Sequence, residues 1–188
     1  DPYFTKMTDR LPPTQLFAQW VALLPPSARS AGKGLLREGD FFGLDASPPF
    51  GWRFYPADGV YAERSNGPAG MGSALYVSYS GERETVFANQ ELVLPAGHYR
   101  FTGRVYAEDA IDAGTFRWTI VCMSKGATGT LATAPINPLA GQLGRYAVEF
   151  TAPSTCDQQQ LVLTGAARDT AFDMLAIYVD GLEITRLR

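Results

Sequence analysis

HYRFTGRVYAE, residues 98–108, puts Tyr99, Phe101 and Val105 on one side and Arg100, Thr102, Arg104 and Tyr106 on the other. Successive side chains of an extended chain point to opposite faces. This is therefore a strand with one face in a core and one in water. The same alternation recurs around it. SALYVSYS (73–80) sets Leu75, Val77 and Tyr79 against Tyr76, Ser78 and Ser80. TFRWTIVCM (115–123) puts Phe116, Trp118, Ile120 and Cys122 on one side, and RYAVEFTAP (145–153) does so with Tyr146, Val148 and Phe150. QQLVLTG (159–165) and MLAIYVDGLEITRL (174–187) complete the set. Turn signals rich in Gly, Pro and Asp divide them, among them LPAGHY, DAIDAGT and APSTCD. About eight to ten short strands with almost no helix between them predict an all-β fold, a β-sandwich or jelly roll over residues 36–188.

Residues 1–35 read differently, as a short N-terminal helical arm and linker. Thr14 is the expected N-cap of TQLFAQWVALL, in which Leu16, Phe17, Trp20, Val21, Leu23 and Leu24 recur at helical spacing. Pro25-Pro26 stops that helix, and SARSAGKG (27–34) reads as a linker. Trp20 is expected to anchor the helix on a neighbouring surface. The alternative partner is an upstream domain of the same polypeptide.

Bulk properties exclude several classes. The chain has 188 residues and a net charge of −3, and its lysines, Lys6, Lys33 and Lys125, are scattered. That is not the electrostatic footprint of a nucleic-acid binder. No apolar run approaches the length of about 18 residues that a transmembrane helix needs. The sequence starts at Asp1 and reads as a processed or excised piece of a longer protein. Cys122 and Cys156 are either buried singly or joined in one disulfide. The disulfide is the favoured reading, and it leans toward an exported protein in the periplasm, the extracellular space or the cell envelope.

Catalytic signatures are weak. His98 is the single histidine and sits in a turn entering a strand, where an exposed polar role is expected. Glu108, Asp109 and Asp112 offer carboxylates at a turn, better explained by solvation than by glycoside hydrolysis. No G-x-S-x-G elbow, P-loop, G-x-G-x-x-G or HExxH occurs. The expectation is a protein that is not an enzyme.

Four motifs in order resemble the jelly-roll carbohydrate-binding modules of the galactose-binding-like superfamily. They are EGDFF…FGW (Glu38–Trp52), GMGSALYVSY (Gly70–Tyr79), LVLPAGHYRFTGRV (Leu92–Val105) and LAIYVDGLEI (Leu175–Ile184). The resemblance spans roughly residues 36–188. It implies a non-catalytic carbohydrate-binding-like module, part of a larger exported or envelope protein; the alternative is a structural or protein-interaction domain with no sugar site. It also implies a structural Ca²⁺ held by acids in the first and last strands, for which Asp40 and Asp180 are the candidates. Phe42 stands where that superfamily often has a third ligand, Glu.

Two glycan surfaces follow. If the strands carrying Arg100, Arg104, Tyr106, Arg117, Arg145 and Glu149 are neighbours, one sheet face gathers stacking and hydrogen-bonding groups. Otherwise the turns 56–72 and 81–89 form a rim with Tyr55, Tyr61, Asn66 and Tyr79. The superfamily usually binds at such loops, so the resemblance favours the rim. Trp52, Tyr55, Tyr61, Tyr76, Tyr106 and Tyr178 are the aromatics that can face solvent, although Phe41 and Trp52 read better as inward plugs of the core.

Overall fold

The computed structural model describes residues 11–29, 35–43, 48–68, 70–168 and 173–188. Residues 30–34 of the expected linker, 44–47 of the turn after Phe42, and 169–172 lie outside them. Two helices come first, α1 (Pro13–Leu23) and α2 (Pro26–Arg29). The strands are β1 (Arg53–Phe54), β2 (Val60–Asn66), β3 (Ser73–Tyr79), β4 (Thr85–Leu92), β5 (Gly97–Tyr106), β6 (Phe116–Cys122), β7 (Gly129–Ile136), β8 (Gly144–Ala152), β9 (Gln159–Gly165) and β10 (Leu175–Arg186). They form two five-stranded antiparallel sheets. Sheet I has the order β1-β4-β9-β6-β7 and sheet II the order β2-β3-β10-β5-β8. This is the all-β sandwich with a short helical piece that the alternation predicts.

Three strands fall where the sequence reads as turn or carries no alternation. Val60–Asn66 and Thr85–Leu92 are β2 and β4, not loops, and Gly129–Ile136 is the edge strand β7. α1 begins at Pro13, and its N-cap is Pro12 with no side-chain cap bond, so Thr14 is not the cap. Proline at the first helical position has its φ preset and lacks only an N–H that would be unpaired there anyway. Leu24 is extended, as the residue before Pro25 must be. Ser27–Arg29, expected as linker, belong to α2.

Trp20 finds its anchor within this chain. It is buried, 5.6 Å from Phe50 in an edge-to-face pair, and the Arg37 guanidinium lies 5.2 Å above its ring. Arg37 also donates to the Ala28 carbonyl at the end of α2, so one side chain joins both helices to the sandwich.

Between the sheets lies an aromatic core. Phe41, Trp52, Trp118 and Phe101 run in contact, with centroid steps of 5.1, 5.8 and 5.8 Å. Phe41 and Trp52 are therefore the expected inward plugs, and Trp52 leaves the set of solvent-facing aromatics. Its indole N–H donates to the Glu38 carbonyl at 3.1 Å. Trp118 of sheet I donates to the Tyr146 hydroxyl of sheet II at 2.8 Å, which satisfies both polar tips inside the sandwich. Burial pushes the Tyr146 phenol far up.

Gly39 holds the chain entry against the sandwich. Its carbonyl accepts from the Leu182 N–H at 3.0 Å. A Cβ at this position would lie 1.9 Å from the Leu182 carbonyl oxygen, so no larger residue fits without moving β10. Gly39→Ala should cost about 3 kcal/mol or more, the upper range for overpacking against backbone, measurable as a fall in the urea midpoint.

Cys122 and Cys156 are joined in a disulfide with a Cα–Cα distance of 5.8 Å, closing a sequence separation of 34. It ties the end of β6 to the turn before β9. Replacing both cysteines with serine should lower stability by roughly 3–4 kcal/mol on the loop-closure account. Calorimetry with and without reductant checks this, since reductant should lower the melting temperature of the native chain and leave that of the double variant alone.

Candidate functional site

The outer face of sheet II carries the candidate site, and register builds it. Tyr178 on β10 is paired with Tyr76 on β3 and with Tyr106 on β5. Their neighbours Leu75, Val77, Val105, Ile177 and Val179 are all in the core, so the three tyrosines share the outward face. The Tyr76 and Tyr178 rings lie 5.0 Å apart. Glu63 of β2 extends the same rank, opposite Tyr76. Beside Tyr76 and Tyr178 is a small pocket closed by Glu108, Asp109, Ile111 and Met174. The Tyr178 phenol is held above its ordinary range, first by desolvation and then by the neighbouring Tyr76, Glu108 and Tyr106.

The next rank is Asp180, Arg104 and Arg145 on β10, β5 and β8. Arg104 grips Asp180 with two bonds, at 2.8 Å and 2.5 Å. Asp180 is buried, so the forked guanidinium is what allows a charge there. Thr102, Glu183 and Arg145 line an open depression below it, together with the exposed Asp40. At the far end Arg100 pairs with Glu149 at 2.6 Å, both exposed.

Some of the expected site residues come together on this face and others do not. Arg100, Arg104 and Tyr106 share it, and Tyr61 joins them from β2 through its pairing with Ser78. Arg117 does not. It lies on β6 in sheet I, where it pairs with Glu84, because strand order and not sequence order sets the neighbours. The rim of Tyr55, Tyr61, Asn66 and Tyr79 does not form. Tyr55 accepts from Asn89 of sheet I at 2.8 Å, whereas Asn66 ends β2 beside Phe42. Tyr79 is buried, donates to the Ala166 carbonyl at 2.7 Å, and has its phenol pushed up to about 12 by desolvation. Tyr76 and Tyr178, the centre of the rank, are legible as outward residues in sequence, but only register brings them together.

The calcium candidates Asp40 and Asp180 have the following surroundings. Both Asp180 oxygens are taken by Arg104, and Asp40 has an exposed side chain on the depression. Among the described residues no group of three or more His, Cys, Asp or Glu is placed to hold a metal ion. His98 is exposed, with Nδ1 3.0 Å from the Thr151 hydroxyl.

No protein-family profile matches the chain, and no curated protein sequence matches it. Solved structures do resemble it in fold. The xylan-binding CBM22-1 domain of Paenibacillus barcinonensis Xyn10C has a TM-score of 0.55 and 14% identity, covering 73% of this chain and 86% of that one. TmCBM61, in complex with β-1,4-galactotriose, has a TM-score of 0.53 and 16% identity, covering 83% of this chain and all of that one. The CBM22-1–GH10 modules of Clostridium thermocellum endo-1,4-β-D-xylanase 10B, complexed with xylohexaose, have a TM-score of 0.53 and 18% identity over 73% of this chain. This chain spans about a quarter of that xylanase chain, 26%. The fold is that of the jelly-roll carbohydrate-binding modules.

Arg104→Ala should strand the buried Asp180 charge. The expected loss is about 3 kcal/mol, the low end for a broken buried pair because Arg104 is partly exposed. Arg104→Met combined with Asp180→Leu should recover much of it, as read by denaturant melts of the three chains.

Proposed function

We propose that the chain is a non-catalytic carbohydrate-binding module that holds a glycan across the outer face of sheet II. The observation that carries this reading is the tyrosine rank, three aromatic side chains in register on three adjacent strands. Adjacent strands lie about 4.8 Å apart, so the rank runs roughly 10 Å across the strand direction. A tyrosine offers an apolar ring to the C–H face of a sugar and a hydroxyl to its oxygens. Tyr61, Arg100, Arg104 and Arg145 on the same face supply further planar or charged hydrogen-bonding groups. The xylohexaose and β-1,4-galactotriose of the structural neighbours make a β-linked chain the first ligand class to try.

Residues 36–188 are the module in this reading and 1–35 its arm. The disulfide supports an exported or cell-envelope setting, since such bonds persist in oxidising compartments. The module would be one part of a larger polypeptide that brings other activities to the bound glycan.

A glycan array followed by titration calorimetry tests this. Tyr178→Ala and Tyr106→Ala should each weaken the best ligand roughly tenfold, while Tyr55→Ala on sheet I should not. Silence across neutral, acidic and amino sugars would sink the reading in favour of a structural or protein-interaction domain. Reducing ends released from a bound polysaccharide would overturn its non-catalytic part.

A further inference from the structure

We propose that the pocket beside Tyr76 and Tyr178 is an ammonium site, which selects a glycan carrying an amino sugar whose nitrogen is free and protonated. This rests on the glycan-binding reading of sheet II and names the class of sugar within it.

Size is the first argument. The pocket measures about 110 Å³. Pockets for drug-sized ligands start at roughly 300 Å³. It therefore receives a substituent of a sugar and not a whole extended chain. The tyrosine rank beside it is where the rings of the chain would lie.

Chemistry is the second. Tyr76 and Tyr178, their rings 5.0 Å apart, line the pocket together with Glu108 and Asp109. The π-faces of aromatic rings attract cations, and ionised carboxylates do so directly. Ile111, Met174, Leu175 and Ala176 complete the lining without adding charge, and no Lys, Arg or His lines the pocket. The four ion pairs among the described residues use neither Glu108 nor Asp109. The two carboxylates set a negative local field; the Tyr178 phenol beside them is raised chiefly by desolvation, with Tyr76 and Glu108 adding to the rise. An acidic sugar would meet that field as repulsion.

A hard divalent cation is the poorer fit. Calcium takes about six to eight oxygens, and two carboxylates among aromatic and apolar groups do not approach that number. An ammonium carried on carbon suits the mixture better, because it pairs with carboxylates and packs its attached carbons on the rings.

The test uses the full chain and calorimetric titration at a pH of about 6, where an amine of ordinary basicity is protonated and carboxylates are ionised. The probes are a β-1,4-glucosamine tetramer, its fully N-acetylated counterpart, xylohexaose, and choline chloride as an ammonium without sugar. The glucosamine tetramer should bind roughly tenfold tighter than the N-acetylated one. Raising salt should shrink that advantage. The Glu108→Gln/Asp109→Asn double variant, altered only at exposed side chains, should bring the two tetramers to parity. Equal affinities in the native chain overturn the ammonium site. So does an advantage that survives in the double variant. In either case, if Tyr178→Ala still weakens both tetramers, glycan binding stands. Binding of no oligosaccharide overturns both readings. Choline binding with no preference for the glucosamine tetramer overturns the proposal by separating the pocket from the sugar.

Discussion

Strand β10 lies at the centre of sheet II, and the break in its register between Asp180 and Glu183 governs which of its side chains face outward. Before the break, Ile177 and Val179 point into the core and Tyr178 points out. After it, Leu182 and Ile184 point in and Glu183 points out. A regular strand would have sent Leu182 to the same side as Tyr178 and Asp180. The bulge inserts one residue, so the core pattern resumes without loss. Gly181, at a φ of +57°, supplies the left-handed backbone there, and a Cβ at this position would lie 3.3 Å from the Arg104 Nε. The Tyr178 rank and the Arg104–Asp180 pair thus hang on one irregularity, on which Gly39 also closes from the chain entry.

Two buried glutamines hold the margins of sheet I in a similar way. Gln90 gives its amide to the backbone of Arg37, accepting from the N–H at 3.1 Å and donating to the carbonyl at 3.0 Å. Gln159 does the same with Leu94, at 2.8 and 3.3 Å, and donates to Cys156 as well. Each side-chain amide stands in for a missing strand neighbour, where an unpaired buried backbone group would cost roughly 1–3 kcal/mol. Both lie next to segments that approach the sandwich without joining a ladder. The chain entry and the 93–96 turn are therefore fixed by hydrogen bonds where regular pairing has ended.

Those same features decide what the sequence could disclose. β5, β6, β8 and β9 alternate cleanly because their inward residues are large and apolar, and the sandwich follows from that pattern, while the inward roles of Phe41 and Trp52 rest on the burial tendency of large aromatics. β2 hides because the position opposite Leu75, where alternation calls for an apolar side chain, holds the exposed Arg64, which pairs with the buried Glu38 at 3.1 Å and lies over the Phe54 ring. β4 hides because a bulge falls between Val86 and Ala88 and because Gln90 is inward. β7 is an edge strand of small residues with Pro135, and it carries little alternation. Arg117 falls outside this face for a different reason. Alternation tells the face of a strand but not its sheet, and the assignment of β6 to sheet I is a property of the long-range pairing. For that reason the polar half of the site, Arg100, Arg104 and Tyr106 on one strand, was readable, while the Tyr76–Tyr178–Tyr106 rank was not.

In the glycan-binding reading, the rank's construction bears on how well it binds. Its tyrosines stand on three hydrogen-bonded strands whose opposite faces are packed in the core, and two of the rings already touch. The conformational freedom that a loop-borne aromatic would lose on binding has largely been surrendered on folding. A rim built on turns would have to be ordered by its ligand, whereas this face is ordered by the sandwich. The consequence runs in both directions. A preformed face binds with little entropic penalty, but it cannot adapt, so selectivity must come from groups fixed at its border. Glu63 at one end, Glu108 and Asp109 beside the paired tyrosines, and Arg145 in the next rank are the charges so placed, and they give the face a polarity along its length that a bare aromatic strip would lack.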